Sequence, residues 1–426
     1  MRMMKLTLLS LAVASSTFSF SHAVLAEEAF SKLFTEAKPI LDVRYRYEHV
    51  DQDNALNNAN AQTIRTRIGL QSGKWYGLSA LIEADNASRV GDASYNSTRN
   101  GQGDYSVVAD PDGSEINQAL LRYDHQYGSA VLGRQRINLD NQRFIGGVAW
   151  RQNEQTYDGA LLQLKPLSGL TLSYAYIDNI NSIFGPGDNR FDTPANPANI
   201  EGHSHLLNLL NLLNLLNLLN LLNLQYVLMP QLTATAYQYR LGLDNLTGGN
   251  QSSKTTGLRL NGAVSGVSYA LEYARQSEYA SNPLDLDSEY RLAELGYTIK
   301  NVGLKAGYEV LSGDSGPGNR AFQTPLATKH AFQGWADIFL LTPAGGIKDN
   351  YLSASLPLLG GTLLGKYHDY RAEQGSSHYG SEYNLSYARP IPGIKGLVGL
   401  IKAARHDAVD FAVDTDKLWL QVQYSY

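Results

Sequence analysis

From residue 40 onward, apolar and polar positions alternate with a period of two. In 40–48, Leu41, Val43, Tyr45 and Tyr47 alternate with Asp42, Arg44, Arg46 and Glu48. Successive side chains of a strand point to opposite faces, so this segment predicts a strand with one apolar-aromatic face and one charged face. Residues 63–71 repeat the pattern (Ile64, Thr66, Ile68, Leu70 against Arg65, Arg67, Gln71), as do 169–176, 303–311 and 382–388. The last segment runs to the end of the chain, with Leu418, Leu420, Val422, Tyr424 and Tyr426 opposing Lys417, Trp419, Gln421 and Gln423.

A soluble sandwich alternates as well, but three features predict an all-β transmembrane antiparallel barrel. The segments are about 10 residues long, which a tilted strand needs to cross a bilayer. Tyrosines cluster near segment ends, as at a membrane interface. The chain ends on an aromatic residue within an alternating strand, which is similar to the C-terminal signal read by the outer-membrane barrel-assembly machinery. Tyr426 is thus the expected contact with that partner, and outer-membrane lipid and lipopolysaccharide are the expected surroundings.

Short turns near 72–77, 125–128, 166–169, 229–231, 265–267, 300–302, 358–361 and 390–394 interleave with longer polar loops. The loops fall near 51–62, 86–114, 136–155, 178–203, 241–253, 277–288, 312–348, 372–378 and 407–414. This predicts about 18 strands (16–18), with both ends and the short turns on the periplasmic side and the long loops outside. Barrels of that size leave an aqueous channel.

The pattern fails at Leu206–Asn223, six tandem copies of Leu-Leu-Asn. As one strand these residues would extend roughly 60 Å, about twice a membrane crossing. As a helix, each Asn turns about −60° from the last, so no apolar stripe survives. Removal of Leu209–Asn223 leaves His205-Leu206-Leu207-Asn208-Leu224-Gln225-Tyr226, which still alternates. Five of the six units therefore read as an expansion inserted in strand eight.

The N-terminus is a different element. Arg2 and Lys5 precede an apolar run from Leu6 to Ala14, and Val24-Leu25-Ala26 supplies small or compact residues at a cleavage site. This reads as a secretory signal peptide over 1–26, leaving 27–426 as one barrel in the outer membrane. The run is too short for a spanning helix. The formal net charge of −5 excludes the basic excess of a nucleic-acid binder. Absence of Cys excludes a disulfide scaffold, a thiolate metal site and a Cys nucleophile.

The candidate chemistry lies on the polar faces. Arg44, Arg46, Arg65 and Arg67 occupy neighbouring strands one and two, and Arg122 lies on strand four. Inward acids include Asp42, Glu48, Glu83, Asp85, Glu272, Glu294, Glu309 and Glu382. Four Arg outnumber the two acids on their own strands, so a net positive strip is expected to attract anions, and Arg forks suit carboxylates or phosphates. The third long loop holds Ile137, Leu139, Phe144, Ile145 and Trp150 together with Arg136, Arg143 and Arg151, and Arg134 precedes it. Its apolar content predicts that it packs into the barrel and presents guanidinia there. No Gly-x-Ser-x-Gly elbow or phosphate-binding Gly loop occurs. His203-Ser204-His205 lacks a third ligand nearby. Neither an enzyme, a metal nor a cofactor is expected.

Gly-Arg-Gln at 133–135, Gln-Arg-Phe-Ile-Gly at 142–146, Trp-Arg-Gln-Asn at 150–153 and Tyr-Asp-Gly at 157–159, with Glu115-Ile-Asn-Gln-Ala before them, resemble the alginate-export porin family. The resemblance covers about 40–170. It implies an eighteen-stranded outer-membrane barrel whose Arg/Lys-lined lumen conducts a uronate polymer. Arg134, Arg136, Arg143 and Arg151 match its motifs. The functional expectation is passive diffusion of small anionic or saccharide solutes, with uronate export or uptake as one form. A carboxylate-uptake porin of the pseudomonad type is the alternative, and a surface adhesin a further one.

Overall fold

The structure, a computed structural model, describes residues 30–186, 192–204, 221–229 and 231–426. The expected signal peptide at 1–26, and His205 with most of the repeat at 206–220, lie outside them.

Among the described residues one antiparallel sheet closes on itself through eighteen strand positions. They are β1 (Lys38–Gln52), β2 (Ala59–Gln71), β3 (Leu78–Arg89), β4 (Gly113–His125), β5 (Gly128–Gln135), β6 (Thr156–Leu167) and β7 (Leu170–Asn181). The eighth position is held by two pieces, β8a (Asn199–Ser204) and β8b (Leu221–Met229). There follow β9 (Leu232–Leu241), β10 (Ser253–Val264), β11 (Val267–Glu278), β12 (Asp287–Ile299) and β13 (Val302–Leu311). The last five are β14 (Ile347–Leu358), β15 (Gly361–Arg371), β16 (His378–Pro390), β17 (Leu397–Ala408) and β18 (Thr415–Ser425). Tyr45 of β1 faces Ile64 of β2 on one side and Val422 of β18 on the other, so no sheet edge is left open.

The period-two pattern sets which face is which. Leu70, Leu121, Leu132, Leu271, Leu295, Leu352, Leu385 and Ile401 are each at least half exposed on the outer wall. An apolar band of that extent requires lipid rather than water. No helix among the described residues is long and apolar enough to cross a membrane; the crossing elements are strands. Several strands exceed the expected length of about 10 residues: β1 has 15 and β2 has 13. Their extra residues at the long-loop end (His49, Asp51, Asn60, Gln62) are polar, and the ladder continues there beyond the apolar band.

Inside the barrel lies an apolar core to which Ile137, Leu139, Phe144 and Ile145 contribute from one loop and Phe322, Leu326 and Phe339 from another. The first loop joins β5 to β6 (136–155). The second joins β13 to β14 (312–346). The sequence reading assigned an in-folding role to the first alone.

Ser204 of β8a faces Ile177 of β7, and Leu221 of β8b faces Ala175. One ladder position, opposite Tyr176, therefore separates residues 204 and 221 in the wall.

Candidate functional site

The loop 136–155 is anchored at two aromatic points. Phe144 inserts among Tyr237 and Tyr239 of β9, Tyr290 of β12 and Phe322, with ring centroids 5.3, 5.9, 5.3 and 6.0 Å away. Trp150 reaches the opposite side of the barrel, against Trp419 of β18 at 5.9 Å. Between them the loop crosses the lumen.

The arginines singled out from the sequence go to several different places. Arg44 of β1 donates to the carbonyls of Ala149, Trp150 and Arg151 at 3.1, 3.2 and 3.3 Å, and to Gln423 at 3.0 Å. Arg46 donates to the Trp150 carbonyl at 2.6 Å and to Gln421, lies 4.0 Å over the Trp150 ring, and stands 3.7 Å from Asp110. These two guanidinia hold the tip of the loop. Arg65 pairs with Asp42. Arg67 forks onto Asp85 at 2.7 and 2.6 Å and reaches Glu154 at 2.8 Å. Arg136 pairs with Glu83 and Glu154. The expected net positive strip on β1 and β2 is thus largely offset. The missing acids come from β3 and from the loops, which two-strand arithmetic left out.

Arg143 bonds Glu309 at 2.8 Å, Thr324 at 3.0 Å and Gln333 at 3.1 Å, so it ties the two loops to β13. Arg151 bonds Glu48 at 3.0 Å and Asp337 at 3.2 Å. Arg122 and Arg134 are elsewhere. Arg122 pairs with Asp124 near the short-turn end of β4. Arg134 shares strand parity with Leu132 of the outer wall and forks onto Asp158 at 2.7 and 2.9 Å.

The second loop supplies groups that sequence reasoning missed. Trp335, His330 and Asp337 project from it toward β17 and β18. The Lys402 ammonium of β17 lies 3.8 Å over Trp335, 4.1 Å over Trp150 and 5.3 Å over Trp419. Cation–π attraction offsets part of the cost of burying it. His330 stacks on Trp150 at 4.5 Å, and its two nitrogens join Asp337 (2.8 Å) to Lys402 (2.6 Å). Burial pushes the His330 imidazole down to about 3, with Lys402 acting the same way and Asp337 only partly opposing. The ring is therefore neutral at pH 7: Nδ1–H donates to Asp337 and Nε2 accepts from Lys402. Burial works against charge on Asp337, yet His330, Lys417 and Arg151 hold its carboxyl well below the ordinary range. Gly334, at φ +79°, brings the backbone close enough for Glu382 of β16 to accept from the Trp335 and Ala336 amides; a Cβ there would collide with the Glu382 carboxylate. The signal for this loop was present in the sequence: Phe322, Phe332, Trp335 and Phe339 meet the same apolar criterion that was applied to 136–155.

Trp150, Arg151, His330, Asp337 and Lys417 are among the residues that line a cavity of about 610 Å³. Its walls are mainly apolar, with Phe184, Ile338, Leu341 and Phe411 among them.

The chain superposes on several solved porins. *Pseudomonas aeruginosa* OccK3 (OpdO) matches with a TM-score of 0.67 at 17% identity, over 93% of this chain and 97% of that one. *Pseudomonas aeruginosa* OccK9 (OpdG) gives 0.68 at 16% identity, over 92% and 99%. *Acinetobacter baumannii* OccAB4 gives 0.66 at 15% identity, over 92% and 98%. This chain has the fold of the Occ porins. No family model matches the chain, and no curated protein sequence matches it. The resemblance to alginate-export porins, drawn from motifs at 115–159 and covering about 40–170, is thus not what the comparisons found: the superposed Occ porins carry the same barrel without pointing to uronate export.

Proposed function

We propose that the chain is an outer-membrane channel for passive uptake of small carboxylates, with its short turns in the periplasm and its long loops outside. The observation that carries this reading is the bonding of the basic groups at the crossing. Among the described residues the Arg44 guanidinium is bonded only to carbonyl and amide oxygens, so its charge has no carboxylate in contact, and Lys402 Nζ is bonded to an imidazole. A low-dielectric wall makes such unmatched charge attract anions. Two in-folded loops sharing one core favour a small solute over a uronate polymer. The likeness to *Pseudomonas* Occ porins supports the pseudomonad-type carboxylate reading over alginate export.

The test is a planar-bilayer measurement of reversal potential across a salt gradient. The wild type is expected to prefer chloride over potassium, and Arg44→Ala combined with Lys402→Met to shift that preference several-fold toward potassium. Identical reversal potentials for both proteins would remove these cations from the mechanism.

A further inference from the structure

The cavity lining already contains a carboxylate. Asp337 Oδ2 accepts from Arg151 Nη2 at 3.2 Å and from Lys417 Nζ at 3.2 Å, while Oδ1 accepts from His330 at 2.8 Å. The donors come from the loop 136–155, from β18 and from the loop 312–346, so they converge on one point rather than following one strand. Three donors on the two oxygens of one carboxylate make a built recognition site for that group. Among the described residues, Asp337 is the acid that Lys417 pairs with, whereas Arg151 also holds Glu48. The carboxylate is delivered by a loop, not a strand. That loop has Gln333, Gly334 and Asp337 at φ +44°, +79° and +60°, a region that side-chain-bearing residues seldom adopt. The carboxylate therefore reaches the two cations on a backbone held out of its preferred region, in the lining of a cavity whose walls are mainly apolar.

We propose that Asp337 is an internal surrogate ligand: it occupies a carboxylate-binding site formed by Lys417, Arg151 and His330, and an entering carboxylate with an apolar tail exchanges with it. The inference rests on the carboxylate-channel reading and adds the site, the groups that form it and the reason its affinity is held low. Low affinity suits a channel, since the solute must leave as well as enter.

The site is tested on the purified full-length mature chain in detergent, by titration with sodium butyrate and, as the neutral control, butyramide. Trp150 and Trp419 lie 4.5 and 5.7 Å from the His330 ring of the site, so indole fluorescence reports occupancy. Asp337→Asn removes the competing charge and is expected to bind butyrate at least about fivefold more tightly than wild type, because a site blocked most of the time loses apparent affinity in that proportion. Lys417→Met is expected to abolish the response, and butyramide to give none. In Asp337→Ala, acetate is expected to restore the wild-type emission and acetamide to leave it unchanged. Equal or weaker butyrate binding by Asp337→Asn, or no rescue of Asp337→Ala by acetate, would overturn the proposal. Conductance is read separately in bilayers: a chain that shows the binding pattern but passes no current keeps this site and loses the channel reading. A chain that passes butyrate while Asp337→Asn binds no better keeps the channel and loses the surrogate.

Discussion

His330 sits between an acid and an ammonium, stacked on Trp150, and its state decides whether that chain of contacts holds. Its imidazole is pushed from the ordinary 6.5 down to about 3 in the folded protein. Between those values the unfolded or undocked state binds a proton that the docked state refuses, so stability falls as pH drops from about 6.5 toward 3. Acidification through that window is expected to loosen the loop 312–346 and red-shift the tryptophan emission. His330→Gln is expected to flatten the response between pH 6.5 and 4, above the range in which Asp337 takes up its proton. An unchanged profile in the variant would assign the transition to another group. The sequence did not single out His330, because its partners Asp337 and Lys402 are 7 and 72 residues away and meet it only through loop docking.

At the scale of elements, the two in-folded loops are held by few anchors, and the Phe144 nest is the most localised. Phe144 is buried among four rings contributed by β9, β12 and the other loop. Truncation to Ala removes a buried ring at a cost of about 3–5 kcal/mol, and that cost falls on loop docking, since the wall strands pair without it. Phe144→Ala is expected to keep the heat-modifiable mobility of a folded barrel on gels and to raise single-channel conductance; a variant with wild-type conductance would place the narrowing elsewhere. Apolar content sufficed to predict that the loop 136–155 packs inside. It did not say which of its arginines meets which acid. Arg136 finds Glu83 from β3, Arg143 finds Glu309 from β13, and Arg151 finds Asp337 from the second loop. Such partners are set by the barrel's cross-section, a dimension absent from a linear reading.

For the whole molecule, the wall and the repeat can be compared directly. β7 offers one position, opposite Tyr176, between its contacts with Ser204 and Leu221. Residues 205–220, sixteen in number, separate those two in the sequence, fifteen more than that one position, and fifteen residues are five Leu-Leu-Asn units. Deletion of Leu209–Asn223, which yields the same sequence as deletion of 206–220, is expected to leave barrel assembly, β-sheet circular dichroism and conductance as in the full chain. Failure of the shortened chain to assemble would show that the repeat serves the wall. The sequence by itself narrowed the strand number to 16–18 and determined the alternation of faces and the positions of turns and loops, because these follow from local periodicity and from the length needed to cross a bilayer. The tertiary structure alone decided how charge is balanced across the lumen and what lines the cavity. Closing the sheet brings β1 against β18 and drives two distant loops into one space, so the cations of one segment meet the acids of another hundreds of residues away.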